Sequence, residues 1–144
     1  MQSNNGYPQQ VDCVWLAIDT NGQIGAFFTG GEGPIPSSAM AAAIADPDLE
    51  AELNTLPIIS NAQMIVRYKR EVSFIELGKR GLYVFDWNDV HRTSSKRTNQ
   101  YALVCEPSEP LLLRTLPSHL KVIAETTRLS DAVFSDCHAN GLSI

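Results

Sequence analysis

Two apolar runs near the start of the chain, separated by a short polar turn, constrain its fold more than any other feature. The first reads CVWLAI over residues 13–18, and the second reads IGAFF over Ile24–Phe28. Their β-branched and aromatic residues favour strands. The dipeptide Asn21-Gly22 lies between them and is a strong hairpin signal, because both residues tolerate the positive φ angles of tight turns. The chain is therefore predicted to open on an antiparallel hairpin with Trp15 in the core.

A glycine-rich stretch follows, GAFFTGGEGPIP over residues 25–36. A phosphate-binding loop would need free backbone N–H groups, a lysine and a helix directly behind the glycines. This stretch has no lysine, includes Glu32 where an anion would bind, and contains two prolines, which have no N–H to donate. It is predicted to be a structural turn in which at least one of Gly30, Gly31 and Gly33 has a positive φ.

Two helices are predicted after this turn. The first is alanine-rich and begins with Ser37 or Ser38 as its N-cap. The second has Asp46 as N-cap and Pro47 at its first position, and it ends before Pro57. Its buried face is predicted to consist of three leucines at helical spacing, Leu49, Leu53 and Leu56.

A third helix and two further strands are predicted in the second half of the chain. Ser73 and Glu76 have the spacing of a capping box, in front of a short helix with Gly81 as its C-cap. Residues 82–87 and 100–105 are rich in β-branched and aromatic side chains, which indicates two strands.

The remaining segments complete an α+β pattern. Residues 62–69 are predicted to form a linker or a short strand. A helix is predicted to begin at Pro117, and residues 132–137 are compatible with a last edge strand. We expect a single α+β domain over residues 11–144, preceded by a flexible segment over residues 1–10. Its sheet is predicted to be mainly antiparallel, with about four to six strands and about three or four helices.

Charge is divided unevenly along the chain. Residues 1–66 contain seven acids and no Lys or Arg, whereas residues 67–144 contain eleven bases and nine acids. The two parts contribute −7 and +2, which gives the formal net charge of −5. Nucleic acids and anionic membranes attract basic surfaces, so neither is expected as a partner. A protein partner with a basic surface is favoured instead.

The cysteines and the first residues bear on the cellular compartment. Cys13, Cys105 and Cys137 are odd in number and widely spaced, unlike a disulfide framework or a zinc site. Cys13 and Cys105 lie in apolar runs, where a free cysteine behaves as a small buried hydrophobe. The first ten residues lack the basic and hydrophobic parts of a signal peptide, and the uncharged stretch Ser37–Ala45 is too short to cross a bilayer. A cytoplasmic location is expected.

The segment DWNDVHRT provides the strongest argument for an enzyme. Asp86, Asp89 and His91 are residue types that bind divalent metals, and Arg92 could meet a substrate anion, as in a small metal-dependent hydrolase. A polar turn between two strands explains the same residues, because Asp and Asn bond to their own backbone. No second ligand cluster or Gly-x-Ser-x-Gly motif occurs, so neither a metal, a cofactor nor catalysis is expected. A homodimeric adaptor is a further alternative.

Three longer stretches carry a resemblance to known proteins. VWLAIDTNGQIGAFFTGGEGPIP, SFIELGKRGLYVFDWNDVHRT and YALVCEPSEPLLLRTLP resemble small bacterial immunity proteins encoded beside polymorphic or contact-dependent toxins. The similarity covers roughly residues 11–120 and rests on turns, aromatics and prolines, which specify a fold better than a chemistry. It implies a non-enzymatic protein that neutralises a cognate toxin by direct complex formation, and it implies no catalytic residues.

The predicted partner-binding surface has an acidic part and an aromatic part. The acids of the second helix are expected to face solvent, opposite its leucines. Trp87, at a strand end beside charged residues, is predicted to be a partly exposed aromatic of the type enriched at binding hot spots. The full predicted set is Asp46, Asp48, Glu50, Glu52, Trp87, Asp89, His91 and Arg92.

Overall fold

A mixed β-sheet organises the computed structural model, which describes residues 12–65, 71–87, 100–137 and 141–144. Its six strands in these residues are β1 (Val14–Ile18), β2 (Ile24–Phe28), β3 (Ala62–Met64), β4 (Tyr83–Asp86), β5 (Gln100–Pro107) and β6 (Leu142–Ser143). The order is β1-β2-β4-β5-β3, and β6 pairs with β5. The predicted flexible segment over residues 1–10 lies outside the described residues.

Four of the five strand pairings are antiparallel, and only β2 and β4 are parallel. A parallel pair needs a long crossover, and here the chain between β2 and β4 contains three helices and β3. The mainly antiparallel α+β fold predicted from the sequence is confirmed.

Four α-helices occur in the described residues: α1 (Ser37–Ala45), α2 (Leu49–Leu53), α3 (Glu71–Gly78) and α4 (Ser118–Thr126). Short 3-10 helices cover Leu113–Thr115 and Phe134–Asp136. Within the part of the chain that the structure describes, no helix has the length and apolar character needed to span a membrane.

The opening hairpin is confirmed, and Asp19 holds its turn. One carboxylate oxygen of Asp19 accepts the backbone N–H groups of Asn21 and Gln23, both at 2.9 Å. The other accepts the N–H of Phe134 at 2.9 Å. Three N–H donors stabilise this buried charge. The same side chain therefore shapes the first turn and fastens the C-terminal part of the chain to it.

Side chains alternate between two cores because successive residues of a strand point to opposite faces. Leu16 and Ile18 face the core formed with α2, α3 and α4, whereas Trp15 faces the core formed with α1. The second core is largely aromatic: Trp15 and Phe85 stack on Phe27 with ring centroids 4.1 and 4.5 Å away. The prediction that Trp15 is a core residue is confirmed.

The glycine-rich stretch is a structural turn, as predicted. Gly30 and Gly31 have positive φ angles of 62° and 87°. Their N–H groups donate to Asp12 Oδ1 at 2.9 Å and to Thr29 Oγ1 at 3.2 Å, so the loop satisfies its own donors. Gly33 packs so closely that an added Cβ would lie 2.5 Å from the Tyr101 hydroxyl. Packing and turn geometry together account for these glycines.

The predicted starts of the first two helices are wrong. Pro36 is the N-cap residue of α1, and the Ser38 hydroxyl contacts the Thr127 hydroxyl at 2.8 Å instead. Asp46 is the C-cap of α1, because its N–H donates to Ala42. The second helix, α2, begins only at Leu49, with Asp48 as its N-cap.

One prediction for the third helix needs correction, and another is confirmed. Ser73 and Glu76 form no capping box, because both lie inside α3, where Glu76 contacts Arg80 at 3.1 Å and Lys79 at 3.6 Å. Gly81 has the predicted left-handed conformation, with φ 90°.

The C-terminal region also differs from its prediction. Residues 132–137 form no strand, because Phe134–Asp136 is a 3-10 helix whose Phe134 enters the aromatic core. The last strand is β6 instead. The predicted helix behind Pro117 is confirmed as α4, with Pro117 as its N-cap.

Candidate functional site

The most concentrated polar chemistry in the described residues lies where α1, α2 and α4 meet. Asp46 ends α1, Glu52 lies on α2, and His119 is the second residue of α4. Buried leucines fix two of these helices, Leu49 in α2 and Leu120 in α4. Because those leucines point into the core, the polar side chains on the other faces are directed toward one another at the surface.

His119 stands between two carboxylates. Its Nε2 lies 3.4 Å from Asp46 Oδ2 and 3.2 Å from Glu52 Oε1. The imidazole is 66% exposed, whereas the two acids are half-buried. Oε1 of Glu52 has no accessible surface and accepts no hydrogen bond of good geometry from the described residues. The cluster can form an ion pair when the imidazole is protonated, or it can present three ligand atoms to a cation.

Two members of this cluster were predicted as partner-binding residues, and one was missed. Asp46 and Glu52 belong to the predicted acidic surface. His119 is 73 positions from Asp46 in the sequence, and no local spacing connects it to the acids. Its position two residues behind Pro117, at a predicted helix start, was the only available signal. The packing of α4 beside α1 brings the three residues together.

An apolar cleft of about 350 Å³ adjoins the cluster. Its lining residues are Leu56, Pro57, Ile59, Pro110, Leu111, Leu112, Thr115 and Pro117. Leu56 follows Glu52 by four residues, and Pro117 precedes His119 by two residues. Ile59 and Leu112 keep 39% and 41% of their surface exposed. The cleft therefore combines an apolar interior with an acidic edge at α2.

The cleft walls are tied to the turn between α3 and β4. On one side, Ile59 N–H donates to Lys79 O at 2.9 Å, and Arg80 Nε donates to Leu56 O at 2.8 Å. On the other side, Leu111 N–H donates to Gly81 O at 2.9 Å. These bonds hold both walls against one rigid turn, so the cleft is formed before any ligand binds.

The acidic helix is oriented as predicted. Leu49, Leu53 and Leu56 are buried, which confirms the predicted apolar face of this segment. Asp48 is exposed, and Glu50 and Glu52 are partly exposed. The short helix therefore presents acids on its outer side, at the edge of the cleft.

Trp87 is not the exposed aromatic that the sequence predicted. Only 5% of its surface is accessible, and its ring contacts Tyr101 edge-on at 5.0 Å. The backbone N–H of Trp87 donates to Phe28 O at 3.1 Å, so the pairing with β2 continues past β4. The indole thus occupies the same inward register as Phe85, and the missing side chain of Gly33 leaves space for it.

The alternative hydrolase site is only partly described. Asp86 is buried at the end of β4, in a position that solvent does not reach. Asp89 and His91, and the predicted partner residue Arg92, lie outside the described residues. The metal-dependent hydrolase stays a prediction.

The three cysteines have the properties of packing residues. All are free thiols, and Cys105 and Cys137 are buried, while Cys13 is half-buried. Burial raises the pKa of Cys105 to about 12 and that of Cys137 to about 11, and it also raises the pKa of Cys13. The thiolate is the nucleophilic form, so these thiols are poorly suited to catalysis near neutral pH.

Comparison with known proteins assigns the chain to no family. No protein-family model matches it, and no curated protein or solved structure gives a significant match.

Proposed function

We propose that this chain is a non-enzymatic binding protein of the immunity type, which neutralises a toxin with a basic surface by forming a direct complex. The observation that supports the proposal is the apolar cleft bordered on one side by the acids of α2. The partner would insert an apolar side chain into the cleft and place basic groups against Asp48 and Glu50.

The apolar part of this surface would supply the residence time of the complex. Ile58, Ile59 and Leu112 are large hydrophobic residues with substantial exposure. Burying one such side chain fully contributes about 1.5–3 kcal/mol. Clustered exposed apolar residues with a polar rim are typical of protein interaction sites.

The acidic part would supply fast and selective association. In residues 12–65 every charged side chain is an acid. Arg80, a base at the α2 wall, is held by Leu56 O and by the Glu76 carboxylate. Arg114 lies in the 3-10 helix of the opposite wall, so negative charge dominates on the α2 side. Such a field steers a basic partner into a defined orientation.

The lining of the cleft is suited to binding rather than to chemistry. Among the described lining residues only Thr115 has a polar side chain, and its hydroxyl donates to Leu112 O at 2.7 Å. No titratable group is among them. The resemblance of residues 11–120 to immunity-type proteins then supports a toxin as the partner class.

Co-expression with the product of the neighbouring gene, followed by surface plasmon resonance, tests this function. The double substitution Ile59→Asp and Leu112→Asp is expected to weaken binding at least tenfold, because it places charge in the apolar cleft. Val72→Asp is the matched control, since Val72 is 75% exposed on α3 and does not line the cleft. Circular dichroism verifies that all variants are folded.

Two outcomes would count against the proposal at different levels. Unchanged binding by the double variant would remove the cleft from the interface. Failure of the wild-type chain to bind or protect against any neighbouring gene product would contradict the immunity function itself.

A further inference from the structure

We propose that Asp46, Glu52 and His119 form a binding site for a divalent transition-metal ion of the zinc class. The three residues offer two carboxylate oxygens and one imidazole nitrogen, and these ligand atoms all lie within 4.8 Å of one another. They come from the end of α1, from α2 and from the start of α4. This site shares no residue with the predicted Asp86, Asp89 and His91 set, and it does not depend on the proposed partner.

Two of the three ligand–ligand distances fit a tetrahedral centre. With zinc–ligand bonds of about 2.0–2.1 Å, two ligands of a tetrahedron lie about 3.3–3.4 Å apart. His119 Nε2 lies 3.4 Å from Asp46 Oδ2 and 3.2 Å from Glu52 Oε1. The third separation, between the two carboxylate oxygens, is within 4.8 Å.

Glu52 Oε1 is the ligand atom of the cluster that solvent does not reach. This oxygen lies 3.2 Å from His119 Nε2, but it has no accessible surface and accepts no hydrogen bond of good geometry from the described residues. A carboxylate oxygen withdrawn from water is costly unless a donor or a cation meets it. Because the oxygen points to the exposed His119, a bound ion would satisfy it without any change in the fold.

The backbone holds the ligands in place. Asp46 N–H donates to Ala42 O at 3.0 Å, and Asp46 O accepts Leu49 N–H at 3.2 Å. Glu52 N–H donates to Asp48 O at 3.0 Å. His119 stands between Pro117, the N-cap of α4, and the buried Leu120. Fixed backbone positions reduce the entropy that the side chains lose when they bind an ion.

The donor set selects the class of ion. Imidazole suits zinc, cobalt, nickel and copper, whereas magnesium and calcium prefer sites made of oxygen alone. Three protein ligands leave a fourth position open to water or to a donor from a bound molecule.

Isothermal titration of the chelator-treated full chain with Zn²⁺ is the direct test, with Co²⁺ as a spectroscopic probe. We expect one ion per chain and the intense visible absorption of tetrahedral Co²⁺. His119→Gln, Glu52→Gln and Asp46→Asn should each weaken binding at least tenfold. Mg²⁺ in excess should not displace Zn²⁺.

Matched control variants distinguish Zn²⁺ binding at this cluster from general attraction of the ion to acidic residues and from binding by other side chains. Asp48→Asn and Glu50→Gln remove neighbouring acids that are outside the cluster, and they should leave Zn²⁺ affinity within about a factor of two, as for independent sites. His91→Gln removes the histidine of the alternative set, Asp86, Asp89 and His91, and it should also leave the Zn²⁺ affinity unchanged. No Zn²⁺ binding by the wild-type chain, or equal binding by the folded His119→Gln variant, would overturn the proposal.

Discussion

The indole N–H of Trp15 donates to the hydroxyl of Tyr101 at 3.3 Å across 86 residues of sequence. The same hydroxyl donates to the carbonyl of Pro34 at 3.0 Å. One buried oxygen therefore connects the first strand, the strand β5 and the loop that leads into α1. Its two bonds also explain why the loop passes so close that only glycine fits at position 33.

Tyr101→Phe should destabilise the protein by about 1–3 kcal/mol, because it leaves the buried Trp15 N–H and the Pro34 carbonyl without their partner. The measurement is urea unfolding followed by tryptophan fluorescence. Fluorescence should also report a changed environment for Trp15. An unfolding midpoint equal to that of the wild type would show that the hydroxyl bridge contributes nothing to stability.

Gly33→Ala and Gly22→Ala should both destabilise the protein, each for a different physical reason. At position 33 the added Cβ would lie 2.5 Å from the Tyr101 hydroxyl and 2.9 Å from Trp87, an overpacking that costs about 1–3 kcal/mol. At position 22 the added Cβ would have no atom within 4 Å, so there is no steric conflict. The backbone φ of 76° is the cause here, and it costs about 1–2 kcal/mol for a residue with a Cβ.

Combining each glycine variant with Tyr101→Phe distinguishes the two causes. Removing the hydroxyl should reduce the cost of Gly33→Ala, because the closest contact disappears. It should leave the cost of Gly22→Ala unchanged, since distant sites are additive. Strict additivity for both pairs would contradict the steric explanation at position 33.

Reversal of charge at the cleft edge should slow association with the partner. Asp48→Lys with Glu50→Lys reverses two acids of the α2 segment that are outside the proposed metal cluster. The association rate should fall at low salt, and the difference should shrink as ionic strength rises, because salt screens exposed charges. Asp131→Lys with Asp136→Lys makes the same change of net charge near the opening hairpin and is the control. Equal slowing by both pairs would point to net charge alone.

The contact between Glu76 and Arg80 should make stability depend on pH in the acid range. A hydrogen bond from Arg80, with further attraction from Lys79, lowers the pKa of Glu76 from its ordinary value of 4.5. A lowered pKa means that the stabilisation is complete above the ordinary value and is lost as pH falls through the folded-state value. Glu76→Gln should remove this part of the dependence, which unfolding curves at several pH values between neutral and acid would reveal. A Glu76→Gln profile that parallels the wild type would exclude this contribution.

The hairpin could be predicted from sequence because its determinants are local. Alternating apolar residues and the Asn-Gly turn are read within sixteen residues, and the structure places β1 and β2 within one residue of the prediction. Predicted helix starts failed where a side chain found a distant partner instead. Ser38 contacts Thr127, and Asp46 contacts His119, and no local pattern contains that information.

Only half of the proposed binding site could be predicted from the sequence. Charge and helical spacing indicate the acids of α2, but the apolar cleft forms only when the segments around Ile59 and Leu112 meet in the fold. Trp87 shows the opposite failure. Its charged neighbours in the sequence suggested exposure, whereas continued pairing with β2 turns its ring into the aromatic core.

The Asp19 carboxylate that accepts the N–H of Phe134 has a consequence for biosynthesis. The hairpin leaves the ribosome before Phe134 does, yet its turn carboxylate and aromatic face are completed only when Phe134 arrives. The N–H of Thr20 likewise finds its acceptor, the carbonyl of Ala132 at 2.9 Å, only after that residue has emerged. During translation the nascent hairpin therefore leaves one side of Phe27 uncovered until Phe134 has emerged, and exposed apolar surface in this interval favours aggregation.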